Sequence, residues 1–264
     1  MYQECYELCK AAAADASHFI MTHFQQLSSS DVNEKQQNDY VTFVDKGSEL
    51  RIVEMIRAHF PDHAILAEES GPSGNTGEYL WVIDPLDGTT NFIHGIPHFA
   101  ISIALLEKGQ PLAGYIYHPV LQEEYFAWRG MGAFFQNHPI RVRTINSLNQ
   151  ALGATGFPFK NLDHLPAWID MFRKTFPLTK GLRRMGSAAL DMAYVAAGHF
   201  DFFWEARLCP WDYLAGILIV QEAGGIATNF AGKAPNIYLP DSIICSASTL
   251  YPLLIPFFQN DDKH

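Results

Sequence analysis

Apolar residues recur at mixed spacings of three and four between positions 3 and 27, a run rich in Ala, Leu, Ile and Phe that predicts an amphipathic helix. The polar segment Ser28 to Asp39 has no apolar period and reads as a mobile loop. Helical spacing returns over 45–59, with Leu50, Val53 and Ile56 on one face, until Pro61 stops it. "AILAEES" predicts a short strand ending in acids, and "PSGNTGE" a loop. Aromatic and β-branched residues from Tyr79 to Ile83 predict a strand, and further strands follow at 99–106, 112–118, 123–128 and 133–136. The last two join across Gly130, and "QNHPIRV" turns into one more, so the helices are followed by a mostly antiparallel sheet.

After about residue 148 the pattern changes. Short apolar runs (Leu152 to Thr155, Phe202 to Trp204, Ile243 to Ser246) alternate with helical ones at 165–176, 187–197, 212–223 and 249–258. That alternation is α/β grammar. With no internal repeat and no long linker, residues 1–147 and 148–264 read as packed subdomains, the first α+β and the second α/β.

A chain of 264 residues can bury a large core. Its formal net charge of -10 disfavours nucleic-acid binding, which depends on clustered Lys and Arg. Anions would have to be received by cations or backbone N–H groups. No apolar run approaches the roughly 20 residues of a membrane span, and residues 1–10 lack the basic start and apolar centre of a signal peptide. The cysteines are Cys5, Cys9, Cys209 and Cys245; Cys5 and Cys9 fall on one helix face as free thiols, and none has zinc-site spacing. Cytoplasmic residence is the expectation.

Acids at element ends carry the chemical signal. They are Asp45 in "VTFVDK", Glu68-Glu69 in "LAEES", Asp84 and Asp87 in "DPLDG", and Asp212 in "CPWDY". Taken singly, Asp45 fits an N-cap, Glu68-Glu69 a solvated pair, and Asp212 an acid placed against a helix dipole. "DPLDGTT" differs, because Pro85 fixes the turn between two carboxylates, and Gly-Thr-Thr follows at an apparent helix start where N–H groups can seat an anion. Carboxylates beside an anion seat need a cation between them. Hard cations such as Mg²⁺ take carboxylate, carbonyl and phosphate oxygens, so the segment implies a metal and a phosphate.

"WVIDPLDGTTNF" and "PWDYLAGILIVQEAGG" resemble, in order, two signatures of the inositol monophosphatase family, within the lithium-sensitive, Mg²⁺-dependent sugar phosphatases. "NDYVTFVDK", "FPDHAILAEES", "GMGAFFQN" and "RRMGSAALDMAYVAAGHFD" extend the likeness over nearly the whole chain. The resemblance implies a layered α-β-α-β-α sandwich and an Mg²⁺-dependent phosphatase, foremost an inositol-1-monophosphatase, that releases phosphate by attack of a metal-activated water. Fructose-1,6-bisphosphatase, histidinol-phosphatase and phosphoadenosine-phosphate phosphatase are the neighbouring activities.

Residue by residue, the resemblance implies that Glu68, Asp84, the Leu86 carbonyl, Asp87 and Asp212 hold two or three Mg²⁺ ions, with Mn²⁺ as a substitute. Gly88 and Thr89 offer N–H groups to the phosphate. Thr89, Glu68 and, more remotely, Asp45 position the attacking water. Gly186, Ser187, Ala188 and Glu205 match segments that bind substrate hydroxyls, together with Asp87 and Asp212, and Lys35 matches a loop lysine near the site. A small-molecule phosphate monoester and a homodimer are the implied partners.

His94, His98 and the cluster Phe202, Phe203, Trp204 read as structural, and Gly224 in "EAGG" as a left-handed helix cap. Arg207 stands where the family more often has a small or glycine residue; a guanidinium there either meets a second anionic group of the substrate or projects into solvent. Some relatives act through protein or RNA-polymerase partners, so the competing class is a regulatory binding protein.

Overall fold

The computed structural model describes residues 1–28, 31–36, 39–74, 77–159 and 162–259, with the backbone alone for 34–36 and 39. In chain order the elements are α1 (Tyr2–His23), β1 (Val32–Gln36), β2 (Asp39–Thr42), α2 (Phe43–His59), β3 (Ala64–Ala67), β4 (Gly71–Ser73), β5 (Tyr79–Asp87) and α3 (Thr89–Ile93). The meander β6 (Ala100–Glu107), β7 (Gln110–His118), β8 (Glu123–Trp128), β9 (Gly132–Phe135) and β10 (His138–Ile140) follows. Then come β11 (Leu152–Thr155), α4 (Leu165–Thr175), β12 (Gly181–Arg183), α5 (Ala188–Ala196), β13 (Phe202–Leu208), α6 (Pro210–Glu222), β14 (Gly225–Thr228), β15 (Asp241–Ala247) and α7 (Tyr251–Leu254).

These build the expected α-β-α-β-α layers. The first sheet runs β10-β9-β8-β7-β6-β5-β3-β4, antiparallel except where β3 meets β5. The second runs β12-β11-β13-β15-β14, with β12, β11 and β13 parallel. Helices α1 and α2 cover one face of the first sheet, α5 and α6 lie between the sheets, and α4 and α7 close the outside of the second. Alternation along β6 shows how period two feeds two cores. Ile101, Ile103 and Leu105 join the α1–α2 core, while Ala100, Ala104 and Leu106 face the central helices. Small residues line that inner face because α6 comes very close. A Cβ on Gly114 of β7 would stand 2.5 Å from the Ala215 carbonyl oxygen, so the contact needs glycine.

Several expectations change. The segment read as a loop instead contributes the β1–β2 hairpin, since ladder pairing needs no apolar period. In α2, Leu50 is 54% exposed, and the buried stripe is Val44, Asp45, Ser48, Glu49, Ile52 and Ile56. The polar members of that stripe concealed it. Thr42, not Asp45, is the N-cap of α2; Asp45 closes a capping box by accepting the Thr42 N–H at 2.7 Å. Part of "PSGNTGE" pairs as β4. The C-terminal helix is short and passes into a 3-10 turn at Ile255–Phe257, because Pro256 has no N–H to continue it. Gly224 does end α6 with φ +85°, and Phe202, Phe203 and Trp204 are buried core.

His94 is exposed, whereas His98 is buried against His118, ring centroids 5.6 Å apart and nearly perpendicular. Among the described residues neither Nε2 has a hydrogen-bond partner. Burial pushes both imidazoles down to about 4, and His98 adds to the effect on His118. An unfolded histidine titrates at roughly 6.5. Between those values the unfolded chain takes up protons that the native chain refuses, so this contribution to stability is complete above the unfolded pKa and lost as pH falls toward 4. Urea denaturation should show a loss between pH 7 and pH 5 on the order of 2 kcal/mol per histidine. His118→Gln should flatten that slope; an unchanged slope would remove these rings from the explanation.

Candidate functional site

Asp84 and Asp87 are an odd number of residues apart, so a regular strand would send them to opposite faces. The ladder between β5 and β6 breaks there: Asp84 pairs with Ser102 and Asp87 with Ala100, leaving one extra residue on β5. Pro85, which has no N–H to give a ladder, sits in this bulge. Leu86 turns into the α1–α2 core, and both aspartates line one pocket between the sheets. The Ser48 hydroxyl, from α2, donates to the Pro85 carbonyl at 3.1 Å and pins the bulge.

Three of the acids accept from backbone N–H groups, and the fourth, Glu68, is placed by its main chain. Asp84 Oδ1 accepts from Leu86 N at 2.9 Å. Asp87 Oδ2 accepts the Ser187 hydroxyl at 2.6 Å and the Ala189 N–H at 2.8 Å, across the start of α5. Asp212 Oδ2 accepts from Cys209 N at 2.6 Å, opening α6. Glu68 follows β3 directly, with its N–H on the Ile83 carbonyl at 3.1 Å. Buried Glu49 of α2 takes the next two N–H groups, those of Glu69 and Ser70.

The pocket of about 520 Å³ is lined by Glu68, Asp84, Leu86, Asp87, Gly88, Thr89, Gly186, Ala188, Glu205 and Asp212 among others, a size that suits a small ligand. Gly88 turns the chain into α3 with φ +100°, and a Cβ there would stand 3.1 Å from the Gly186 carbonyl oxygen. Two predicted residues stand behind the lining. Asp45 accepts the Thr89 hydroxyl at 2.9 Å, and that hydroxyl is also 3.1 Å from the Leu86 carbonyl oxygen. Ser187 reaches the pocket only through Asp87. Lys35 falls in β1, and its side chain lies outside the described residues.

Electrostatics mark the acid end. Burial raises the Asp84 carboxyl well above its usual range, and the charges of Glu68, Asp87 and Asp212 raise it further against the Leu86 N–H. Asp87 is raised by burial and opposed by Ser187, the N–H groups of α5 and Arg184. Burial also raises Asp45, against its bonds from Thr42 and Thr89. A buried carboxyl facing three acids fits a hard cation, and every donor in the set is oxygen. Among the described residues no three such side chains close into a ready cage. Mg²⁺ keeps several waters and shares its sphere with substrate phosphate, so open carboxylates suit it. Glu68, Asp84, Asp87, Asp212 and the Leu86 carbonyl are the groups that could hold it.

Sequence reasoning missed other lining residues: Tyr40, Arg184, Asp191, Phe157, Phe159 and His164. Asp191 is buried, its Oδ1 has no hydrogen-bond partner among the described residues, and burial, Glu205 and Asp87 raise it well above the usual range against Arg184. Its signal was present in "GSAALD", an acid on an otherwise apolar helix. The guanidinium of Arg184 lies over the rings of Phe157 and Phe159, 5.6 and 5.3 Å from their centroids. Arg207 is exposed at the pocket lining with φ +58°, a conformation that costs a non-glycine residue about 1–2 kcal/mol. The strain comes with a second bulge: Glu205 pairs with Ile243 and Leu208 with Asp241, leaving one extra residue on β13.

The model of the inositol monophosphatase family matches residues 1–262. The chain is 49% identical over 227 residues to Nus factor SuhB of Pseudomonas aeruginosa, covering 84% of each. The crystal structure of the extragenic suppressor protein SuhB from Bartonella henselae is similar with a TM-score of 0.91 and 36% identity, over 98% of this chain and 99% of that one. An IMPase of Thermotoga maritima gives a TM-score of 0.86 at 36% identity, over 98% and 97%. By sequence along nearly its whole length and by fold, the chain belongs to the inositol monophosphatase family.

Proposed function

We propose that this protein is a Mg²⁺-dependent phosphomonoester hydrolase acting on inositol phosphates. The observation that carries the reading is the buried Asp84 carboxyl facing Glu68, Asp87 and Asp212, a concentration of negative charge that a bound cation relieves. When bound, Mg²⁺ (two or three ions, or Mn²⁺ in its place) neutralises phosphate oxygens and makes the attacking water more acidic. The chain supplies position. Gly88 and Thr89, at the start of α3, present backbone N–H groups to the phosphate. Thr89 gives its proton toward Asp45 and Leu86, which leaves the hydroxyl oxygen as an acceptor that orients a water, with Glu68 beside it in the pocket. In-line attack on phosphorus depends on such positioning and charge neutralisation.

Gly186, Ala188 and Glu205, with Asp87 and Asp212, form the hydroxyl-binding side, and Ser187 acts by fixing Asp87. The family and the IMPase-named structural relative support the phosphatase class. Metal ligands concentrated in residues 1–147, and substrate contacts in 148–264, complete the proposal with a cytoplasmic homodimer. Among the described residues no helix is long and apolar enough to cross a membrane. A second reading, a regulatory binding role beside catalysis, is favoured by the name Nus factor carried by relatives at 45% and 49% identity.

Phosphate release should be measured on inositol 1-phosphate, fructose 1,6-bisphosphate, histidinol phosphate and phosphoadenosine phosphate, with Mg²⁺ and with chelator. Release that needs Mg²⁺ and includes inositol 1-phosphate is expected; none from any substrate would leave only the binding role. Asp84→Asn keeps an acceptor for the Leu86 N–H and removes the most crowded charge. It should lower kcat/KM by at least ~100-fold, as expected for loss of transition-state charge stabilisation, without lowering Tm in chelator. Saturating Mg²⁺, at about 100 times Kd, should stabilise the native protein by about 2.7 kcal/mol. Asp84→Asn should lose most of that increment; a variant with unchanged activity and Mg²⁺ response would refute the ligand assignment.

A further inference from the structure

The pocket is lined by positive as well as negative side chains. Arg207 and His164 both line it, and Arg207 Nη1 lies 3.3 Å from His164 Nε2. An arginine N–H can only donate, so in this contact the ring nitrogen is the acceptor. Among the described residues Arg207 has no carboxylate partner. Arg184, the other arginine of the pocket, faces the acids Asp87 and Asp191 instead. In a chain with a net charge of -10, an arginine without an acid at the rim of an acid-rich pocket stands out. Its backbone is held at φ +58° by the β13 bulge, in the region glycine occupies freely. Backbone strain of this kind persists where the surroundings over-determine it, and here the bulge holds the residue at the pocket mouth.

Resting on the phosphatase reading, we propose that Arg207, supported by His164, forms a subsite for a second phosphate, so that the preferred substrate is a phosphomonoester bearing another phosphoryl group. The reacting phosphate occupies the end formed by Glu68, Asp84 and Asp212, and the second meets the guanidinium across the same cavity of about 520 Å³. The planar fork of arginine suits bidentate phosphate binding, which lysine provides only as a point charge. Glu205 and Asp191, which line the same cavity, offer acceptors to hydroxyl donors rather than a place for an anion.

The test compares inositol 1-phosphate with inositol 1,4-bisphosphate, measuring release of the 1-phosphate from each in the native protein, Arg207→Gly and Arg207→Lys. Glycine suits the left-handed backbone, so the variant retains the fold, which a thermal melt would confirm. The ratio of kcat/KM for bisphosphate over monophosphate should exceed one in the native protein. It should fall about tenfold or more in Arg207→Gly, through KM, with partial recovery in Arg207→Lys. An unchanged ratio, or equal effects on both compounds, overturns the subsite. If neither compound is hydrolysed, the phosphatase reading fails separately, and calorimetric titration of both with Mg²⁺ present still decides. Bisphosphate affinity lost selectively in Arg207→Gly supports the subsite; equal affinity in both proteins overturns it.

Discussion

Mutual repulsion between the buried Asp84 carboxyl and three half-buried acids is the constraint on which the pocket depends. Asp84, Asp87, Glu68 and Asp212 face one another across a pocket from which water is partly excluded, and left alone they would separate. Backbone N–H groups hold Asp84, Asp87 and Asp212 instead. Asp87 sits at the start of α5 and Asp212 at the start of α6, where the helix dipoles offset negative charge. Asp45 closes the cap of α2, and Glu49 takes the N–H groups that follow Glu68. Asp87 and Asp212 therefore serve two purposes at once, holding helix starts and shaping the pocket.

This double use explains what the sequence revealed and what it hid. Strands β6 to β8 were legible because strict alternation feeds two apolar cores, and α6 because a long apolar run has nowhere to go but between two sheets. The "DPLDGTT" segment was legible because proline and paired acids make an unusual strand end. Helix α2 misled, since its buried stripe mixes Ile52 and Ile56 with Asp45, Ser48 and Glu49, and a search for apolar spacing settles on exposed Leu50. Glu49 and Ser48 support the site from the next layer, and no local pattern marks residues whose partners lie far along the chain. The β1–β2 hairpin escaped for a related reason, as hydrogen bonding between backbones leaves no trace in side-chain period.

Tight packing fixes the central layer. With α6 pressed on β7 at Gly114, and Gly88 close against the Gly186 carbonyl, neither helix nor turn can shift without collision. The backbone around the acids is thus closely packed, and Phe157, His164 and Arg207 line the same pocket.

The bulge in β13 has a consequence for how such proteins diverge. An extra residue that takes no part in the ladder can be exchanged without repairing any neighbour, because no strand register depends on its side chain. The two parts of the pocket are then separable: Asp87 and Asp212 are tied to the starts of α5 and α6, while the side chain at position 207 can change in size and charge with those acids left in place.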